Sequence, residues 1–259
     1  MEYKYNDPII LDNNVLTIPP LGFNNTGAIC YFNSLVQCLL SSKNFLRYIL
    51  YEKPIPIFNE FLKHIVNDQW DMIFTTRVLQ NYQIMASNQS SSEYFLFLVD
   101  LLKLEEIFEC QYKLISVCEN CGFRKESKDI TYNILVDNDF TEFFNYNEKL
   151  DGVMCDSCKT KSDVKRKRVV SSLPPIIAIS FNKYFGKKEI SYPSSFKIEG
   201  VEYRLIGTIE HYGVLGAGHY ISRFFRNDQY YLGDDSRVFN IQSISPTSDT
   251  YMVFYERIV

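Results

Sequence analysis

Several features that mark membrane, secreted or nucleic-acid-binding proteins are missing from this sequence of 259 residues. No stretch approaches the ~18 consecutive apolar residues that a membrane-spanning helix needs. Residues 1–14 carry acidic and polar side chains where a secretory signal peptide would carry an apolar core. The net charge is −4, whereas proteins that bind nucleic acid through phosphate contacts are normally basic. We therefore expect a soluble, intracellular monomer, cytoplasmic and/or nuclear, that binds neither membrane nor nucleic acid.

One stretch, residues 159–168, is strongly basic. Two interpretations are open for it, a solvated turn and strand face or a patch that binds nucleic acid. Charge runs of this length are usually exposed and solvated, and we prefer that interpretation.

Histidine is scarce, with three residues, while cysteine occurs seven times. An odd cysteine count without a signal peptide favours thiol and metal chemistry in a reducing compartment over a disulfide framework. Four of the cysteines form two Cys-x-x-Cys pairs: Cys118, Cys121, Cys155 and Cys158. Paired knuckles of this kind indicate a structural Zn²⁺ site, closed because all four ligands are thiolates. Redox pairs are the alternative, but neither pair begins a helix after a thioredoxin-like strand.

Repeats and low-complexity linkers are also absent, and hydrophobic residues make up 46% of the chain, enough for a sizeable core. Helical periodicity runs from about residue 22 to 104, with one helix predicted directly after Cys30 and another over 94–104. Ser90 and Glu93 fit a capping box for the second helix. Short alternating segments around the cysteine pairs, over 108–170, predict a ribbon of strands. Further strands are predicted at 176–181, 203–210, 219–225, 229–232 and 251–255, which makes the fold α+β.

Cys30 is the candidate nucleophile. Gly27 and Ala28 form a small-residue turn before it, and helical periodicity begins directly after it. A cysteine at a helix N-terminus faces aligned peptide dipoles and free N–H groups, which lower the pKa of its thiol and can bind an oxyanion. The alternative is a small buried hydrophobic residue, the usual fate of a free cysteine, and this position alone does not separate the two.

His219 is the candidate base. A thiol protease needs one imidazole at the sulfur and a third group that fixes its tautomer. His219 follows Gly216 and Gly218, small residues that let an extended substrate approach, and it then enters a strand. His64 lies in the helical half and is interpreted as a surface or boundary residue. Asp234 and Asp235 follow His219 by about fifteen residues, and on their own they would suit an ordinary turn between strands.

Three segments together resemble the ubiquitin-specific protease family. Residues 22–40 resemble its cysteine box, apart from Phe23 and Ile29, with matches at Gly22, Asn25, Gly27, Cys30, Tyr31, Asn33, Ser34, Gln37 and Leu39. Residues 210–220 resemble the histidine box, and 230–235 the acidic motif, although Tyr230 replaces Trp and Gly233 replaces Phe. The resemblance covers roughly residues 22–257.

The resemblance implies a papain-like cysteine protease with a helical thumb, zinc-tied β-ribbon fingers and a palm of antiparallel β-sheet. Residues 1–20 stay unassigned; residues 21–259 form one catalytic domain, divided at about 21–105, 106–170 and 171–259. The implied activity is hydrolysis of the isopeptide or peptide bond after the C-terminal glycine of ubiquitin. The resemblance implies that Cys30 is the nucleophile, His219 the base and Asp234 the acid that orients the base. It also implies that Asn25 donates to the oxyanion and that Asp235 supports the site. Asn25 could instead serve as a turn residue, and His211 is implied to be structural.

Substrate contacts are expected at Ser90, Glu93, Gly218 and Tyr220. Ser90 stands where the family has an aspartate near the basic tail of ubiquitin; serine can cap a helix but cannot pair with arginine as a carboxylate does. Glu93 is the nearest replacement carboxylate, unless it serves only the helix cap. The alternatives are a silent module that binds ubiquitin or a ubiquitin-like protein, a protease for another modifier, or a zinc-ribbon interaction protein.

Overall fold

The computed structural model describes residues 18–25, 27–54, 90–137, 139–183, 190–214 and 217–258. The expectations for the N-terminal segment up to residue 17, for His64 and for Gly216 lie outside the described residues. Within these ranges, no helix is long and apolar enough to cross a membrane.

Four α-helices precede the sheets in the described part of the chain. They are α1 (Cys30–Leu39), α2 (Lys43–Arg47), α3 (Ser91–Leu101) and α4 (Glu105–Phe108), with a π-helical turn at Tyr48–Glu52. The helix predicted after Cys30 is confirmed, and all ten of its residues are buried. The Ser90 side chain caps α3 by accepting from the Glu93 N–H, so the serine half of the expected capping box forms. This helix ends at Leu101 rather than at 104, because Lys103 adopts a left-handed φ of 53°.

The expected ribbon is a four-stranded antiparallel sheet, called the finger sheet here. Its strands are β1 (Cys110–Cys118), β2 (Arg124–Thr131), β4 (Asn147–Met154) and β5 (Lys161–Ser172), in the order β2-β1-β5-β4. The edge strand β2 is exposed along nearly its whole length and rich in charge, which disfavours further strand pairing at that edge.

A second sheet, called the palm sheet here, has the order β11-β10-β9-β8-β12-β6-β3, with β7 also paired to β8. Its strands are β3 (Ile134–Val136), β6 (Ile176–Phe181), β7 (Ser195–Ile198), β8 (Val201–Val214), β9 (Ala217–Arg226), β10 (Gln229–Asp234), β11 (Arg237–Ile241) and β12 (Thr250–Arg257). All five strands predicted from residue 176 onward are present. The expected antiparallel palm is confirmed for β6 to β12, and one further strand, β3, is added at its edge in parallel with β6. This strand reaches β6 from within residues 106–170, so a crossover rather than a hairpin connects them.

Helix α1 packs on β8, β9 and β10, and the larger hydrophobic core fills the space between the helices and this face of the palm sheet. A second core lies around β3, β6 and β12. The N-terminus of α1, where Cys30 sits, is thereby brought to the palm sheet.

Arg226 anchors the other end of α1. Its Nη2 donates to the backbone oxygen of Gln37 at 2.7 Å and to the side-chain oxygen of Gln37 at 3.0 Å. Its guanidinium carbon lies 4.5 Å from the centre of the Phe224 ring. Burial lowers the pKa of Arg226 to about 9, which leaves it charged at neutral pH. A cation at the C-terminal end of α1 also complements the helix dipole, so Arg226 holds the helix against β9.

Candidate active site

Cys30 is the first residue of α1 and is 7% exposed. The backbone N–H groups of Tyr220 and Tyr31 lie close enough to its thiol to lower the thiol pKa. Because Tyr220 directly follows His219, the sulfur lies beside the strand that carries the candidate base.

Burial raises the pKa of the Cys30 thiol, and the negative charge of Asp235 raises it further. The N–H groups of Tyr220 and Tyr31 act in the opposite direction but do not compensate. The N–H groups at the start of α1 thus lower the pKa of Cys30 as expected, but the net shift in the free protein is upward. The cause is desolvation, because burial destabilises the thiolate more than the N–H groups at the helix end stabilise it.

His219 and Asp234 form a direct pair. The distance between His219 Nε2 and Asp234 Oδ1 is 2.7 Å, across 15 residues of sequence. Both residues are partly accessible, with side chains 43% and 23% exposed. A hydrogen bond at Nε2 leaves Nδ1 as the ring nitrogen that can accept a proton from another group.

Asp234 has a second partner that the motifs did not indicate. Its Oδ2 accepts from Arg237 Nη2 at 2.9 Å, and the two residues face each other across β10 and β11. The link between them is a two-residue turn, so opposite charges at its two ends form a cross-strand pair. The sequence signal that could have indicated this pair is an aspartate and an arginine three residues apart, on either side of a short turn.

Asp235 connects the nucleophile segment to this turn. Its two carboxylate oxygens accept from Asn25 Nδ2 at 2.9 Å and from Asn33 Nδ2 at 2.8 Å. Its backbone oxygen accepts from the N–H of Phe23 at 2.8 Å. Asn33 is 3% exposed, and no role was predicted for it although it belongs to the motif.

Asn25 makes the contacts of a turn residue, one of the two interpretations that its sequence left open. Its Oδ1 accepts from the N–H groups of Gly27 at 3.0 Å and of Ile29 at 3.2 Å, which is the hydrogen bonding of a turn residue. Its Nδ2 carries two protons, and one of them is donated in a hydrogen bond to Asp235. The side chain is therefore fixed at both ends close to the start of α1.

The four cysteines of the two pairs converge at the tip of the finger sheet, with all four sulfurs within 4.8 Å of one another. The distance between the sulfurs of Cys121 and Cys155 is 3.7 Å. Four thiolates around Zn²⁺ at about 2.3 Å form a tetrahedron with edges of about 3.8 Å, so the sulfur spacing fits zinc. All seven cysteines are free thiols.

The two knuckles share one backbone pattern. The N–H of Cys118 donates to the oxygen of Phe123 and that of Cys155 to the oxygen of Thr160, each at 3.0 Å. Each cysteine oxygen in turn accepts from the N–H four residues later. Two equal turns presenting two sulfurs each are what a closed tetrathiolate site requires.

The predicted substrate-side residues lie between α3 and the palm sheet. The hydroxyl oxygens of Ser90 and Ser92 are each 2.6 Å from that of Tyr251, which joins the helix cap to β12. Glu93 is exposed, and its charge contributes to raising the pKa of Tyr220, although burial is the main cause. The Glu93 carboxylate therefore lies near Tyr220, whereas the Ser90 hydroxyl is engaged.

Gly218 is required by its contacts. A Cβ at this position would lie 2.3 Å from Nε2 of His211 and 2.6 Å from the backbone oxygen of Tyr212. His211 packs on Tyr220, with ring centres 4.4 Å apart, and burial lowers the pKa of His211. This histidine belongs to the packing that supports β9.

Known proteins resemble this chain in sequence and in fold. The sequence matches the family model described as ubiquitin carboxyl-terminal hydrolase over residues 21–255. A relative named "Probable ubiquitin carboxyl-terminal hydrolase 8" from Schizosaccharomyces pombe is 27% identical over 205 residues, which cover 65% of this chain and 45% of the relative. "Ubiquitin carboxyl-terminal hydrolase 26" from Oryza sativa subsp. japonica is 24% identical over 284 residues, which cover 86% of this chain and 26% of the relative. The chain thus spans less than half the length of both relatives.

Solved structures show the same fold. The SAGA DUB module bound to monoubiquitin gives a TM-score of 0.76 at 17% identity, with 96% of this chain and 73% of that chain covered. The SAGA DUB module bound to ubiquitin aldehyde gives a TM-score of 0.75 at 19% identity, and the match covers 92% of this chain and 70% of that chain.

Proposed function

The chain belongs to the ubiquitin carboxyl-terminal hydrolase family, and we propose on that premise that it is a deubiquitinase. The reaction is thiol-dependent hydrolysis of the isopeptide or peptide bond after the C-terminal glycine of ubiquitin. The observation that carries the proposal is the His219–Asp234 pair on β9 and β10, on the strands against which α1 packs with Cys30 as its first residue. A nucleophile, a base and an orienting acid then lie on three neighbouring elements.

The raised pKa of Cys30 decides how the nucleophile is formed. Little thiolate exists in the free protein at neutral pH, so a base must take the proton as the reaction begins. Asp234 accepts a hydrogen bond from the Nε2–H of His219, which leaves Nδ1 free to take the thiol proton. The contact between Asp234 and Nε2 supports His219 as the base and Asp234 as the orienting acid.

The sulfur then attacks the carbonyl carbon of the terminal glycine and forms a tetrahedral intermediate. N–H groups at the start of α1 and the second Nδ2 proton of Asn25 bind the oxyanion. His219 gives its proton to the departing amine, which leaves a thioester on Cys30. Water attacks the thioester carbonyl and gives a proton to His219, and the proton returns to the sulfur as the carboxylate leaves.

Zn²⁺ at Cys118, Cys121, Cys155 and Cys158 supplies a cross-link between the two hairpins of the finger sheet when it is bound. The four thiolates leave no coordination position for substrate, so the metal has no part in the chemical steps. The fitting sulfur spacing and the paired knuckles support this assignment.

Ubiquitin is the proposed substrate partner, with its globule on the finger sheet and its tail between α3 and the palm sheet. Two solved structures with this fold hold monoubiquitin or ubiquitin aldehyde, which supports the choice. Gly218 and Tyr220 would border the tail on the β9 side. Because the Ser90 hydroxyl is bound to Tyr251, we assign contact with a basic tail residue to Glu93 instead. We also propose an intracellular monomer, cytoplasmic or nuclear, in keeping with seven free thiols.

A probe of ubiquitin with a thiol-reactive group at its C-terminus tests the proposal. We expect one adduct with the wild-type protein, none with Cys30→Ala, and an adduct with Cys38→Ala, whose thiol lies in the same helix but inside the core. An adduct with a SUMO or NEDD8 probe but not with ubiquitin would assign the protein to another modifier. No adduct with any of the three would favour a silent binding module.

A further inference from the structure

Arg237 is hydrogen-bonded to a residue of the candidate active site, although it belongs to none of the sequence motifs that predicted the site. It is the first residue of β11 and faces Asp234, the last residue of β10. The two oxygens of Asp234 have separate partners, His219 Nε2 at 2.7 Å on Oδ1 and Arg237 Nη2 at 2.9 Å on Oδ2.

We propose that Arg237 is a positioning residue, which binds Oδ2 of Asp234 and so keeps Oδ1 directed at His219. This inference rests on the proposed function only in that the pair it positions is assigned to catalysis. Arg237 itself has no place in the bond-making steps, and its effect passes through the carboxylate.

The surroundings of Asp234 explain why such a restraint is needed. The preceding residue, Gly233, contributes no side chain, and a Cβ there would lie 2.9 Å from the Ser222 hydroxyl and 3.1 Å from the Phe224 ring. A side chain at 233 would point toward α1 and β9 rather than over the carboxylate, so residue 233 does not restrain Asp234. The torsion that turns a carboxylate about its own axis is broad and roughly two-fold. The hydrogen bond from Arg237 on Oδ2 adds to the His219 contact on Oδ1 in limiting this rotation.

The turn keeps the two residues opposite each other. Asp235, in the turn, has a left-handed φ of 49° and is bound by Asn25 and Asn33 through its side chain. These contacts hold the turn between β10 and β11 against the nucleophile segment. The pairing of the two strands then places Arg237 opposite Asp234.

The effect should be modest and sensitive to salt. The Arg237 side chain is 70% exposed, and exposed ion pairs of this kind change an equilibrium by about two- to fivefold. High salt screens them further. We expect Arg237→Gln to lower kcat by about two- to fivefold with KM unchanged, and Arg237→Lys to recover most of the loss.

Hydrolysis of a fluorogenic ubiquitin C-terminal amide measures these effects at low and high salt. The loss in Arg237→Gln should shrink at high salt and vanish in an Asp234→Asn background. Arg47→Gln is the matched control, since it removes another exposed arginine from a 3.0 Å ion pair, with Glu52, and should leave kcat unchanged. A rise in KM instead of a fall in kcat, or an equal loss in the Asp234→Asn background, would overturn the proposal.

A second readout needs no substrate. The proton resonance of His219 Nε2–H, held on Asp234, should be sharp in the wild type and in Arg47→Gln, and broadened by exchange in Arg237→Gln. An unchanged resonance in Arg237→Gln would rule out the positioning role. Because the resting protein is observed, a wild type that fails to hydrolyse ubiquitin would refute the proposed function and leave this test intact.

Discussion

Replacing Asp235 by asparagine should loosen the connection between the nucleophile segment and the turn after β10. Both side-chain partners of Asp235 are amide NH₂ groups, of Asn25 and Asn33, and only a carboxylate offers two acceptors to them. Asparagine keeps one acceptor and turns its own NH₂ toward the other amide. Asn33 is 3% exposed, and loss of a buried hydrogen bond to a charged group costs about 1.5–3 kcal/mol.

We therefore expect Asp235→Asn to reduce the free energy of unfolding by about 2 kcal/mol, or to lower Tm by about 4–8 °C for a domain of this size. Hydrolysis of a ubiquitin C-terminal amide should fall by about tenfold, less than the ~10²–10³ expected for complete loss of an oxyanion donor, because Asn25 stays present but is less fixed.

Asp228 supplies the matched control. It is exposed in the turn between β9 and β10 and has a left-handed φ of 58°, close to the 49° of Asp235, and asparagine tolerates both. Asp228→Asn should change stability by less than about 0.5 kcal/mol. Thermal and urea unfolding of both variants give the comparison. Equal stability of the two variants would refute the bridging role of Asp235.

Three further outcomes are expected. Gly218→Ala should lower stability and hydrolysis together, since its Cβ would overlap His211 at 2.3 Å, and thermal unfolding with the amide assay measures both; unchanged values would contradict the packing. Cys118→Ser, or removal of Zn²⁺ by a chelator, should expose the finger sheet to amide exchange while α1 stays protected; uniform exchange would contradict a local cross-link. Because burial raises the pKa of Cys30, alkylation of its thiol by iodoacetamide should increase at higher pH than that of free cysteine; a midpoint at or below the ordinary thiol value would refute the raised pKa.

Local patterns predicted the elements that carry the site. The helix after Cys30 and the strands on either side of the turn at residues 227–228 have strong periodicity, and their approximate positions follow from a few consecutive residues. The partnership of His219 with Asp234 was predicted from the resemblance to the family, and the pairing of β9 with β10 brings the two residues together.

Features that depend on distant parts of the chain were not predicted. The bond from Asn33 to Asp235 spans 202 residues, and the parallel pairing of β3 with β6 needs a crossover. The direction of the Cys30 pKa shift depends on a burial of the thiol that the whole palm sheet creates. Arg237 was overlooked because its role follows from one turn geometry rather than from a motif.

The rate at which Cys30 reacts with the ubiquitin probe, compared between the wild type and His219→Gln, tests the central claim most directly. Intact-mass spectrometry follows the adduct over time, with circular dichroism as the check that both proteins are folded. Because general-base assistance contributes about 10²–10⁴-fold, we predict that His219→Gln reacts at least about 100 times more slowly. Equal rates in the two proteins would contradict the activation of Cys30 by His219.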